Sequence, residues 1–136
     1  MIYIDSNIFV YAVLDQEQKG ISARKLLQQV QDGKQKAATC ALTLNETMWV
    51  IRKQRSVEDS ILASEALLTL NLTFLPVNKD TLLETVHLTK TSNLKPNDAT
   101  HLASMKLAGI TTLISEDKDF DTIKDIKRID LSKLEL

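Results

Sequence analysis

Apolar residues fall into two kinds of stretch along this chain. Ile2-Tyr3-Ile4, Ala37-Ala38-Thr39-Cys40-Ala41, Leu72-Thr73-Phe74-Leu75-Pro76-Val77 and Ile110-Thr111-Thr112-Leu113-Ile114 are short and nearly continuous. Strands buried on both faces read this way. A last short strand is expected at about Lys127 to Asp130. Between these runs, apolar positions recur every three or four residues, which predicts amphipathic helices. One helix follows Asp5-Ser6-Asn7 and carries Ile8 to Leu14. After a polar connection, Gln16 to Gly20, Ser22 is expected to cap a helix from Ala23 to about Gln31. Thr43-Leu44-Asn45-Glu46 opens another. Ser56 opens a third, with Ile61, Leu62, Ala66, Leu67 and Leu70 at helical spacing. Asn78 caps a helix through Leu82, Leu83, Val86 and Leu88, and Pro96-Asn97 starts the next, through Ala99, Leu102, Ala103 and Met105. Gly109 stands where a helix C-terminal glycine belongs.

Strands alternating with helices predict an α/β fold, a parallel sheet with helices on both faces. Right-handed crossovers make the first strand a central one. Ligands in such sheets bind at the C-terminal ends of the strands, where Asp5 stands. Asp5 or Ser6 would equally serve as a helix cap.

The chain has 136 residues, 43% of them hydrophobic and 26% charged, which fits one compact domain spanning 1–136. No apolar run approaches the roughly 18 residues of a membrane span, and the N-terminus has no signal-peptide pattern. Cys40 is the single cysteine, so a reducing, cytoplasmic setting is expected and the thiol reads as a small buried side chain. The net charge of −1 excludes a binder that relies on bulk positive charge. A polyanion would have to be handled by local basic patches or by bound metal.

Ser115-Glu116-Asp117-Lys118-Asp119-Phe120 repeats the opening pattern, with acids at the C-terminal end of a buried strand. Asp98 and Glu46 each lie in the first turn of a predicted helix, and helix N-termini point to the same edge of a parallel sheet. Singly, each acid has a structural reading. Thr43-x-x-Glu46 has the form of a capping box, and Asp98 suits the helix dipole. Together, Asp5, Glu46, Asp98 and Asp117 would crowd one rim. Two like charges about 5 Å apart repel by roughly 3 kcal/mol at an effective dielectric of about 20, so such a set calls for a cation. Oxygen ligands favour hard ions, Mg²⁺ or Mn²⁺. No Cys/His spacing points to zinc, and His87 and His101 read as packing or surface residues.

These residues resemble a PIN domain. The likeness is carried by Asp5-Ser6-Asn7, by Glu46, by Asp98-Ala-Thr-His-Leu-Ala103 and by Ser115-Glu-Asp117-Lys-Asp119-Phe120, in order across nearly the whole chain. Within that family the compact form is similar to VapC-type toxins of toxin–antitoxin pairs. The resemblance implies sheet order 3-2-1-4-5 and a Mg²⁺- or Mn²⁺-dependent endoribonuclease that leaves a 5′-phosphate and a 3′-hydroxyl. It makes Asp5, Glu46, Asp98 and Asp117 the acidic quartet, with Asp5, Asp98 and Asp117 as metal ligands. Asn7 and Ser115 are then supporting groups. Asp119, which some members use as the fourth acid, is kept here as a supporting ligand. It also implies a homodimer and an antitoxin partner. The segment Ile61–Leu70 offers a contact for either or is plain core.

Arg52, Lys53 and Arg55 cluster at one helix end, and Lys95 and Lys118 flank two acids. All are candidate phosphate contacts, and the cluster is equally a solvated helix end. Two other readings remain open from the residues alone. One is a phosphoryl-transfer or phosphoacceptor domain with Asp5 as nucleophile. The other is a non-catalytic PIN-like module.

Overall fold

A computed structural model describes residues 1–136. Its elements are β1 (Ile2–Ile4), α1 (Ser6–Leu14), α2 (Gln18–Gln31), β2 (Ala37–Cys40), α3 (Leu42–Gln54), α4 (Val57–Thr69), β3 (Thr73–Leu75), α5 (Lys79–Thr91), α6 (Pro96–Leu107), β4 (Thr112–Ile114) and β5 (Lys127–Ile129). Two 3₁₀ turns, Lys118–Thr122 and Leu131–Lys133, flank β5. The five strands form one parallel sheet in the order β3-β2-β1-β4-β5, as expected, with β1 at its centre.

Successive residues of a strand point to opposite faces, and this splits the core in two. Tyr3 and Leu113 face α5 and α6, where Leu88, Leu102, Met105 and Phe120 close one core. Ile4 and Ile114 face the other side, where Ile8, Phe9, Leu26, Val30 and Leu67 close the second. The result is three layers, α/β/α.

Several expected boundaries shift. The strands are shorter than the apolar runs that mark them. β3 is Thr73–Leu75 rather than Leu72–Val77, and β4 begins at Thr112 rather than Ile110. Ser22 does not cap α2, which starts four residues earlier, at Gln18. The polar connection instead folds into the first turn, because the Asp15 carboxylate accepts from Gly20 N–H at 2.6 Å and Arg24 donates to the Ala12 and Asp15 carbonyls. A Cβ at Gly20 would lie 1.9 Å from the Asp15 carbonyl oxygen, so this entry needs glycine.

The capping box at Thr43 and Glu46 does not form either. α3 starts at Leu42 with no side-chain cap. The Thr43 hydroxyl instead bonds that of Thr39 at 2.6 Å, and Thr39 donates to the Ile4 carbonyl at 2.8 Å. Ser56 and Asn78 cap α4 and α5 as expected, and Gly109 follows α6 with φ +70°.

Candidate active site

Parallel pairing brings the first two acids' segments together. Ile4 is in register with Ile114, so the next residues, Asp5 and Ser115, leave their strands side by side. Asp5 N–H donates to the Ile114 carbonyl at 3.0 Å. Asp5 also caps α1, its carboxylate accepting from Ser6 N–H at 2.7 Å, so both readings of this residue hold at once. Its other oxygen accepts from the Ser115 hydroxyl at 2.6 Å and from the Asn7 side-chain amide at 3.2 Å. Asn7 donates to the Ser115 oxygen too, at 3.2 Å, and the same oxygen receives Asp117 N–H at 3.0 Å. Asp5 is thus buried, with both oxygens held by donors.

Asp98 enters from the first turn of α6, where Lys95 supplies no side-chain cap. Asp117 caps the turn that follows β4, accepting from Asp119 N–H at 2.9 Å. One carboxylate oxygen from each of Asp98, Asp117 and Asp119 lies within 4.8 Å of the other two. Burial, and then the charges of Asp117 and Asp5, raise the Asp98 carboxyl from 3.8 to about 6. Glu46 contributes to the same field. Oxygen donors crowded closely enough to raise a carboxyl pKa suit a small, hard dication.

Glu46 reaches the rim from α3 and is gripped. His101 Nε2 lies 2.5 Å from one of its oxygens, and the Asn97 amide donates to the other at 3.3 Å. His101 is fully buried on α6. Its Nδ1 meets the Tyr3 hydroxyl at 2.7 Å and the Cys40 sulfur at 3.5 Å, and its Nε2 is 3.7 Å from Asp5. Burial opposes a charge on the ring, but its hydrogen bonds to Cys40 and Glu46 and the charge of Asp5 outweigh burial, so its pKa is raised well above the usual imidazole value. A packing histidine is therefore an incomplete reading. The signal was present: His101 stands three residues after Asp98, a spacing that puts both on one helix face.

Glu116 also does more than its sequence position indicated. It pairs with Lys19 at 2.9 Å and accepts from Leu131 N–H at 2.7 Å, tying the loop after β4 to α2 and the C-terminal turn. Arg52, Lys53 and Arg55 are exposed at the far end of α3. Arg52 lines a hollow with Trp49, Val57 and Ile61, whereas Glu46 lines a different one with Asn7, Tyr11, Val50 and Gln54. Arg52 and Glu46 thus border different hollows on that helix. Lys95 and Lys118 are exposed next to the acids in sequence. On α4, Ile61, Leu62 and Leu68 are exposed while Leu67 is buried, so Ile61–Leu70 is only partly core.

Comparison with known proteins agrees with this architecture. The PIN domain family model matches residues 2–126. A VapC ribonuclease of Mycobacterium bovis is 29% identical over 136 residues, covering 95% of this chain and 99% of the relative. The VapC13 ribonuclease of Mycobacterium tuberculosis matches with the same identity and coverage. Among solved structures, M. tuberculosis VapC20, a sarcin–ricin loop cleaving toxin, superposes with a TM-score of 0.74 at 16% identity, over 90% of this chain and 94% of that one. The VapBC2 complex of Rickettsia felis, bound to a promoter DNA fragment, superposes with a TM-score of 0.73 at 18% identity, over 96% and 98% of the two chains.

Proposed function

The chain belongs to the PIN domain family, and from that premise we propose that it is a divalent-metal-dependent endoribonuclease, the toxin of a toxin–antitoxin pair. The observation that carries this reading is the convergence of carboxylate oxygens from Asp98, Asp117 and Asp119 within 4.8 Å of one another, with the Asp98 carboxyl raised by burial and its acidic neighbours. Asp5, Asp98 and Asp117, with Asp119 in support, would hold Mg²⁺ or Mn²⁺. The bound ion would supply Lewis-acid polarisation of the phosphoryl group and a more acidic attacking water.

The remaining work falls to side chains of this chain. Ser115, Asn7 and the Ser6 N–H keep the Asp5 carboxylate fixed in orientation. Glu46, at the edge of the rim, takes the proton of the water that attacks phosphorus. The P–O3′ bond breaks, and the leaving O3′ takes up a proton from solvent, giving a 5′-phosphate and a 3′-hydroxyl. Lys95 and Lys118 contact the phosphates beside the scissile bond, and Arg52, Lys53 and Arg55 contact them farther along the strand.

The curated relatives are named ribonucleases, and several structural neighbours are toxin–antitoxin complexes. These support RNA as substrate and an antitoxin as partner. An apolar hollow lined by Phe9, Val13, Leu27, Ala63, Leu67 and Leu70 suits an antitoxin segment. No helix is long and apolar enough to cross a membrane. We assign residues 1–136 to one domain that works in the cytoplasm as a homodimer.

The test compares wild type with Asp5→Asn and Asp98→Asn on labelled RNA, in Mg²⁺, in Mn²⁺ and in EDTA. Cleavage should require the metal and both acids. Cleavage that persists in EDTA, or equally in the variants, would overturn the reading.

A further inference from the structure

We propose that His101 is a positioning residue that holds Glu46 in line for proton transfer, a role that rests on the nuclease reading above. The ring is fully buried, yet both of its nitrogens are engaged with side chains from other elements. Nε2 lies 2.5 Å from Glu46 on α3, and Nδ1 lies 2.7 Å from Tyr3 on β1. A carboxylate has no hydrogen to give, so the hydrogen in the first contact sits on Nε2. A phenol hydroxyl both donates and accepts, so Tyr3 satisfies Nδ1 whether the ring is neutral or charged. The donor to Glu46 therefore stays on one nitrogen in either state. The edge-on packing of the Tyr3 ring, 5.8 Å away at 73°, and the Cys40 sulfur at 3.5 Å keep the imidazole from turning over.

Glu46 needs such a hold. Its side chain is 22% exposed and borders an open hollow of about 480 Å³ between α1 and α3. Without His101 the carboxylate is free to swing into that hollow, away from Asp98. With His101 on one oxygen and Asn97 on the other, its remaining lone pairs are directed by protein donors. The oxygens that converge within 4.8 Å come from Asp98, Asp117 and Asp119, without Glu46. Asp5 is likewise outside that group of three, so the proton-acceptor role of Glu46 rests on the two donors that hold it.

The full chain is tested as wild type, His101→Leu, His101→Gln and Tyr3→Phe. Each is checked for melting temperature and, by calorimetry, for Mg²⁺ affinity. In H101L, kcat on labelled RNA falls about 10- to 100-fold, with KM and Mg²⁺ affinity unchanged. In H101Q, whose amide N–H reaches the same oxygen, most of kcat returns. Tyr3→Phe lowers kcat less than H101L does. In metal-free protein, proton NMR shows a ring N–H resonance well downfield of the amides, and Glu46→Gln moves it upfield. Wild-type kcat in H101L overturns the proposal. So does H101Q that is no faster than H101L when both melt like wild type, and so does Mg²⁺ affinity that falls in step with kcat. If the His101 variants do not fold, Tyr3→Phe decides, and wild-type kcat there overturns it. A wild type that cleaves no RNA but shows the downfield proton sinks the nuclease reading and leaves the His101–Glu46 contact standing.

Discussion

Asp98 and Glu46 meet the same crowded field in different ways, and each answers to a single substitution. Glu46 accepts a proton in the proposed reaction, so Glu46→Gln should lower kcat by about 10²- to 10⁴-fold in single-turnover cleavage, with RNA affinity retained. Asp98 binds its proton more tightly in the folded chain, at about 6, than its ordinary value of 3.8. That group's contribution to stability is therefore full below about 3.8 and is lost as pH rises through about 6. Without metal, the melting temperature should fall across that window, and less so in Asp98→Asn. With Mg²⁺ the trend should reverse, because the ion binds the carboxylate form. The gain in melting temperature on adding Mg²⁺ should therefore grow from pH 5 to pH 7. Scans at several pH values with and without the ion read both slopes.

The elements show which local signals survive packing. Ser56 and Asn78 act as caps, their oxygens accepting from Asp59 N–H and Thr81 N–H. Thr43 does not, because the Thr39 hydroxyl in the neighbouring strand claims it. That contact joins residues in different elements, and helix periodicity carries no trace of it. The start of α2 was hidden for a similar reason. Its first turn is satisfied by Asp15, which lies outside the helix. Gly20→Ala should cost about 1–3 kcal/mol, since its Cβ would meet the Asp15 carbonyl at 1.9 Å. A urea melt measures this. Equal stability of the variant would show that the α1–α2 corner relaxes freely.

At the scale of the molecule, the sheet order was legible because short buried runs alternate with amphipathic segments and crossovers are right-handed. The convergence of Asp98 and Asp117 followed from that topology, since helix starts and strand ends share one edge. The buried link from Tyr3 through His101 to Glu46 was not legible. It depends on side chains from three elements whose spacing in sequence is irregular. The outer surface carries a further expectation. Leu82, Leu83 and Val86 lie exposed together on α5, an apolar patch that suits the proposed homodimer. Leu83→Glu should shift the protein towards monomer in analytical ultracentrifugation while leaving its circular dichroism unchanged. An unchanged sedimentation coefficient would move the dimer contact elsewhere.

The hydrogen bond between Ser115 and Asp5 spans 110 positions, and this bears on synthesis. A ribosome that has released Asp5 and Glu46 still holds back Asp98 and Asp117. A chain stopped before Asp98 therefore lacks acids that the proposed reading assigns to the dication. In that reading the site is complete only once the second-to-last strand docks against the first, so cleavage waits until most of the chain has been made.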